Sequence, residues 1–249
     1  IEFPVGMNPY TDEVYKAARN NLEKMEADGA LVRDDRPCYY VYRITKNGKC
    51  QTGVVMSASV DAYLENRIKK HELTRPVREM DRVRQIQTVN AITGPVFCIH
   101  RDNVGLSEML TRHSLEKPIA IAENVEGSRH ELWVISDERE ILDVNKLVNN
   151  LDELYIADGH HRSAAAASVA KQRRLINPEY DGSEPYNGFL VISFPEKEVT
   201  ILEYNRVIRD LNGLTDFEFF EELGKNFQVN IRSEPVLPKF PHQFGMYFG

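Results

Sequence analysis

Asp158-Gly159-His160-His161-Arg162 sets a carboxylate, a glycine, two imidazoles and a guanidinium on five consecutive residues. The apolar run Leu154 to Ala157 precedes it and the alanine-rich stretch Ser163 to Ala167 follows, so the pattern predicts a strand that turns through glycine into a helix. Such a junction aims backbone N–H donors and the positive helix end at one point, which is how a protein holds a phosphate or another anion. Gly159 permits a backbone conformation that other residues resist and lets a ligand approach closely. His160, His161 and Arg162 supply donors, and an arginine binds phosphate through two parallel hydrogen bonds. Asp158 is repelled by an anion unless it binds a metal, accepts a proton from a substrate hydroxyl, or fixes the histidines. A purely structural alternative makes Asp158 the helix cap, which accounts for the aspartate but not for the His-His-Arg behind it. Adjacent side chains at a helix start point in different directions, which disfavours a two-histidine metal site.

A second constellation runs from Arg67 to Arg84, where the cations at 67, 69, 70, 75, 78, 82 and 84 outnumber Glu72, Glu79 and Asp81. Within it Lys70-His71-Glu72-Leu73-Thr74-Arg75 is dense in donors and acid–base groups and falls in a break between two helical patterns. The alternative is a solvated helix face with intrahelical ion pairs such as Arg78 with Asp81. Asn90 to Pro95 forms a third polar break before a strand, and Arg129-His130-Glu131 reads as part of an ordinary hairpin.

The elements that must position these groups belong to a globular chain of 249 residues, 42% apolar, with a net charge of −7. The acidic balance argues against a protein whose task is coating nucleic acid, so acidic substrates would need a focused basic pocket. The absence of an 18-residue apolar run or a secretion signal gives a cytoplasmic reading, with no membrane partner. Cys38, Cys50 and Cys98 lack the close spacing of a zinc or redox pair and read as buried free thiols. Both ends look truncated, so we expect 1–249 to be one α+β region of a longer chain, with a core at about 37–210 and an incomplete helix and strand at about 211–249.

Along the chain, Thr11 caps a helix that ends at Gly29, and Asn47-Gly48 joins strands Cys38 to Ile44 and Thr52 to Ser57 in a hairpin. Val60, Leu64 and Ile68 mark one helix face, and Pro76 begins another helix carrying Met80 and Val83 before Asn90. Strands follow at Val96 to His100, Ile119 to Ala122 and Glu131 to Ile135, then a helix with Ile141, Leu142, Leu147 and Val148 on one face. Leu154 to Ala157 resumes the sheet, the alanine-rich helix stops before Pro178, and Phe189 to Phe194 with Val199 to Glu203 forms another strand pair. Thr215 and Glu218 have capping-box spacing ahead of Phe217, Phe220, Leu223 and Phe227, and Phe244 to Gly249 looks like a further strand. Paired strands alternating with helices predict an α+β fold: a mixed, mainly antiparallel sheet with flanking helices.

Tyr39-Tyr40-Val41-Tyr42-Arg43, Lys69 to Arg75, Asp81-Arg82, Asn90, Thr93-Gly94-Pro95, Leu132-Trp133, Tyr155 to Arg162 and Tyr204-Asn205-Arg206-Val207 together resemble a family of bacterial and archaeal proteins catalogued as domain of unknown function ten-fifteen. The Asp-Gly-His-His-Arg turn is also similar to the nucleotide-binding turn of the ParB and sulfiredoxin superfamily, and closest to the Asp-Gly-His-x-Arg turn of its free serine kinases. That resemblance implies a ParB/sulfiredoxin-like core, with Gly159, His160, His161 and Arg162 as phosphate binders and Asp158 as a catalytic or Mg²⁺-holding carboxylate. The sulfiredoxin turn carries a cysteine beside the glycine, where this chain has His160.

The leading expectation is a nucleotide-dependent small-molecule kinase or related phosphoryl-transfer enzyme using ATP or ADP with Mg²⁺. Glu72 or Asp158 would accept the substrate proton with His71 close by; Lys70, His71, Thr74 and Arg75 would steady phosphate; Arg82, Asn90 and Thr93 would lie at or behind the substrate. Two alternatives stay open: a ParB-like nucleotide-binding regulatory module contacting DNA, and a non-catalytic binding protein for an anionic metabolite.

Overall fold

A computed structural model describes residues 10–124, 126–202 and 205–248. The chain divides into two compact units, Ile1–Thr200 and Ile201–Gly249.

The first unit is α+β, built on one eight-stranded sheet: β1 (Tyr39–Lys46), β2 (Lys49–Ser59), β3 (Ile68–Lys69), β4 (Val96–His100), β5 (Ala120–Glu123), β6 (Arg129–Ile135), β7 (Leu154–Asp158) and β8 (Gly188–Pro195). Their order across the sheet is β3-β7-β4-β8-β2-β1-β6-β5. Among the described residues β3 with β7 and β4 with β8 run parallel, and the other five pairings are antiparallel. Asn47 and Gly48 both take positive φ, 51° and 74°, the geometry a two-residue hairpin needs.

Among the described residues this unit has six α-helices: α1 (Asp12–Ala27), α2 (Val60–Leu64), α3 (Pro76–Val89), α4 (Val104–His113), α5 (Glu138–Asn149) and α6 (His160–Ile176). Strand alternation builds the core. Val41, Val54, Ser193, Cys98 and Ile156 are paired neighbours across β1, β2, β8, β4 and β7, and all are buried. The apolar members of that row pack with Leu106 and Leu110 of α4, Val144 of α5, and Ala164, Ala166, Ala167 and Ala170 of α6. Alanines let α6 lie close to its neighbours: Ala165 and Val169 meet Val83 of α3.

Several expectations change. Ile68 does not continue the helix of Val60 and Leu64; Asn66 turns left-handed at φ 62°, and Ile68 joins the sheet beside Leu154. Helix α4 was not foreseen, although Asn103 caps it through its side chain and Leu106, Met109 and Leu110 are its buried face. Val199–Leu202 form no strand, because the chain turns through a short 3-10 helix at Glu196–Glu198 as Glu198 accepts from the Thr52 N–H; Glu203 lies outside the described residues. Of the three thiols only Cys98 is buried.

In the second unit α7 (Asp216–Gly224) starts with the foreseen capping box of Thr215 and Glu218. Phe219 stacks on Phe248 at 6.0 Å and Phe227 meets Phe244 at 5.6 Å. No strand forms among the described residues of Phe244–Phe248; Gly249 lies outside them.

Candidate functional site

Strand pairing brings three distant polar segments to one end of the sheet. Because β3 runs parallel to β7, the segment that leaves β3 at Lys70 emerges beside the turn that leaves β7 at Asp158. Because β4 runs antiparallel to β7, its entrance, preceded by Thr93-Gly94-Pro95, lies at the same end. The foreseen turn therefore meets the other two polar breaks read from the sequence.

Gly159 sits at the N-cap of α6 with φ 103° and ψ 25°, left-handed geometry that favours glycine. A Cβ there would lie 3.0 Å from Arg162 Nη2 and 3.3 Å from the Val96 Cα. One at Gly94 would lie 3.2 Å from Arg162 Nη1, so the guanidinium rests against two glycines. Asp158 does not cap the helix: its Oδ2 accepts from Arg162 Nη2 at 2.9 Å. The pair spends one of five guanidinium donors, while the guanidinium lies against Gly159 at the N-cap of α6.

The two histidines point into the 70–75 segment. His160 is buried, and its Nε2 accepts from the His71 backbone N–H at 3.4 Å, while the His71 ring packs edge-on at 4.4 Å. Accepting at Nε2 leaves the proton on Nδ1, which lies 3.7 Å from Glu72 Oε2. Burial, followed by the neighbouring His71, lowers the His160 pKa below its usual range despite the opposing pull of Glu72 and Asp158. His161 Nε2 accepts from the Arg75 N–H at 3.1 Å. Rather than forming a metal pair, the imidazoles act as acceptors that dock a separate strand exit onto the helix start.

Lys70 donates to the Tyr63 carbonyl at 3.3 Å with its ammonium 4.3 Å from the Tyr63 ring centroid. Thr74 turns away from the helix start: its hydroxyl donates to Glu79 Oε2 at 2.8 Å, and Glu79 Oε1 accepts from Ser168 of α6 at 2.9 Å. Among the described residues the side chains of Arg67, Arg75 and Arg78 form no ion pair within 4.0 Å, so the helix-face pairing of Arg78 with Asp81 does not occur. Asp81 instead accepts from Tyr15 of α1 and lies 3.7 Å from Arg82.

Two further expected residues are held elsewhere. Arg82 donates to Gln85 along α3, and Asn90, the left-handed cap of α3, accepts from Arg173 near the far end of α6. Thr93 is exposed, one residue before Gly94. Sequence reasoning missed Glu79, Ser168 and Tyr63. In the sequence Glu79 reads only as a charge, Ser168 hides among alanines, and Tyr63 sits in an apolar pattern, whereas Gly94 carries a signal in the Gly-Pro break.

The fold and the site define an α+β protein with a mixed sheet, at one end of which a glycine turn bearing His-His-Arg opens a long helix. The chain belongs to the family described as protein of unknown function (DUF1015), whose profile matches residues 1–249. Comparison with curated proteins and with solved structures gives no match. Among the described residues no group of three histidines, cysteines or carboxylates could hold a metal ion, and no helix is long and apolar enough to cross a membrane.

Proposed function

We propose that this chain is a nucleotide-dependent phosphoryl-transfer enzyme acting on a small hydroxylated substrate, with the phosphates of ATP or ADP held at residues 158–162. One observation carries the reading: the backbone N–H groups of His71 and Arg75 are bonded to His160 and His161, which sets the 70–75 segment against the start of α6. The N-terminus of α6 and Arg162 then lie next to a segment that carries the cations Lys70 and Arg75. Positioning and charge neutralisation are most of what phosphoryl transfer requires of a protein.

Mg²⁺ fits this donor set as a companion of the nucleotide rather than as a caged ion. It is commonly held by one or two carboxylates plus substrate phosphates, and the exposed Asp158 is the carboxylate at hand beside the turn. When bound, the ion would neutralise charge on the transferred group. In this reading Glu72, 3.7 Å from His160 Nδ1, would take the acceptor hydroxyl proton, and Asp158, which accepts from Arg162, would orient the guanidinium. The similarity of the turn to that of the ParB and sulfiredoxin superfamily favours a nucleotide over other anions.

A thermal-shift screen of ATP, ADP and CTP with and without Mg²⁺ tests the reading, since a ligand of the native state raises its stability. The expected result is a Mg²⁺-dependent rise with ATP or ADP that disappears in Arg162→Ala. No shift with any nucleotide would overturn it.

A further inference from the structure

We infer that Glu79 is a positioning residue: its carboxylate joins the Thr74 hydroxyl to the Ser168 hydroxyl and so fixes the Lys70–Arg75 segment over the start of α6. The consequence for ligand binding rests on the phosphate reading of that turn; the positioning itself does not.

The segment has three kinds of anchor. At its first residue, Lys70 is held by Tyr63 of α2. At His71 and Arg75 the backbone donates to the two imidazoles of α6. At Thr74, two residues before α3 begins, the Thr74–Glu79–Ser168 bridge ties the segment to α6 two turns beyond the histidines. The last anchor differs in strength. A carboxylate accepting two hydroxyl donors forms charge-assisted bonds, whereas the His71 bond to His160 is long, at 3.4 Å. Glu79 is half-buried and spends one oxygen on each partner, so it is committed to this bridge. Between the anchors Leu73 is 93% exposed and adds no packing of its own.

The bridge also reassigns Thr74. Its hydroxyl proton goes to Glu79, so Thr74 contributes to the site by holding Arg75 next to His161, not by touching phosphate. Thr74→Ser keeps that donor, and the nearly isosteric Thr74→Val removes it.

Amide hydrogen exchange at His71 and Arg75, followed by NMR, reads the anchoring without any ligand. We expect Glu79→Ala and Thr74→Val to speed exchange of both amides about tenfold, the loss of roughly one net hydrogen bond. Amides in the middle of α6 should keep their wild-type rates, and Thr74→Ser should restore slow exchange. The same two loosened variants should bind Mg²⁺-ADP or Mg²⁺-ATP about tenfold more weakly, with Thr74→Ser at wild-type affinity. Wild-type exchange at both amides in Glu79→Ala and Thr74→Val would overturn the positioning role, as would faster exchange throughout α6, which marks a general loss of structure. If the unaltered protein binds neither nucleotide, the phosphate reading fails, and the exchange rates still decide whether Glu79 positions the segment.

Discussion

The backbone N–H of Arg75 donates to Nε2 of His161 at 3.1 Å, joining residues 86 positions apart in the chain. An imidazole acting as acceptor for backbone is a specific role that other aromatic rings cannot take. His161→Phe should therefore leave the ring volume in place, lower stability by about 1 kcal/mol, and free the Arg75 amide to exchange. Chemical denaturation and exchange on one variant check both effects; unchanged values would mean that the contact contributes nothing in solution.

Gly159 tests the backbone side of the turn. A side chain there must adopt φ 103° and displace Arg162 from one of its two glycine supports. Gly159→Ala should cost on the order of 1–3 kcal/mol and weaken anion binding at the same time. Gly94→Ala meets only the movable end of Arg162, so it should disturb binding with little effect on stability.

The two exposed carboxylates have separable roles in the proposed chemistry. Glu72→Gln should lower turnover by about 10²–10⁴-fold with nucleotide affinity retained, the signature of a lost proton acceptor. Asp158→Asn should instead weaken nucleotide binding, because Arg162 loses the partner that orients it. Steady-state kinetics alongside binding titrations distinguishes the two; interchanged effects would reverse the assignment.

Buried histidines predict a pH response. His100, fully buried with Nδ1 on Ser193 Oγ at 2.8 Å, has its pKa pushed down to about 4 by burial, against an ordinary 6.5. Above pH 6.5 both folded and unfolded forms are neutral and its contribution is fully present. As pH falls below 6.5 the unfolded chain takes up a proton that the folded chain refuses, so stability drops, and it continues to drop through about pH 4. The loss at pH 5 should be on the order of 2 kcal/mol from His100, and the lowered His160 acts in the same direction. Urea denaturation at pH 7 and pH 5 measures it, and His100→Asn should flatten the difference.

The legible parts of this molecule were those written locally. The Asn47-Gly48 hairpin, the β4 strand at Val96–His100, the start of α3 at Pro76 and the Gly159 turn each follow from a few neighbouring residues. What failed depended on distant partners. Ile68 kept a helical spacing with Val60 and Leu64, yet pairing with Leu154 drew it into the sheet. Val199–Leu202 looked like a strand, but no neighbour pairs with it and Glu198 is used to meet Thr52.

The site divides in the same way. The residue types at 70–75 and 158–162 signalled chemistry, and the parallel pairing of β3 with β7 brings them together. Their individual roles could not be read from the sequence. Thr74 faces Glu79, Asn90 faces Arg173, and both histidines spend a ring nitrogen on backbone rather than offering it to a ligand.

The central claim is that Arg162 and the start of α6 bind the phosphates of a nucleotide. Calorimetric titration of Mg²⁺-ATP and Mg²⁺-ADP into the wild-type protein and into Arg162→Ala tests it directly. The exposed Asp158–Arg162 pair contributes at most about 1 kcal/mol to folding, so the variant should remain folded. The wild type should bind one nucleotide, and the variant should lose that binding. Equal affinity in both proteins, or no binding by the wild type, would contradict it.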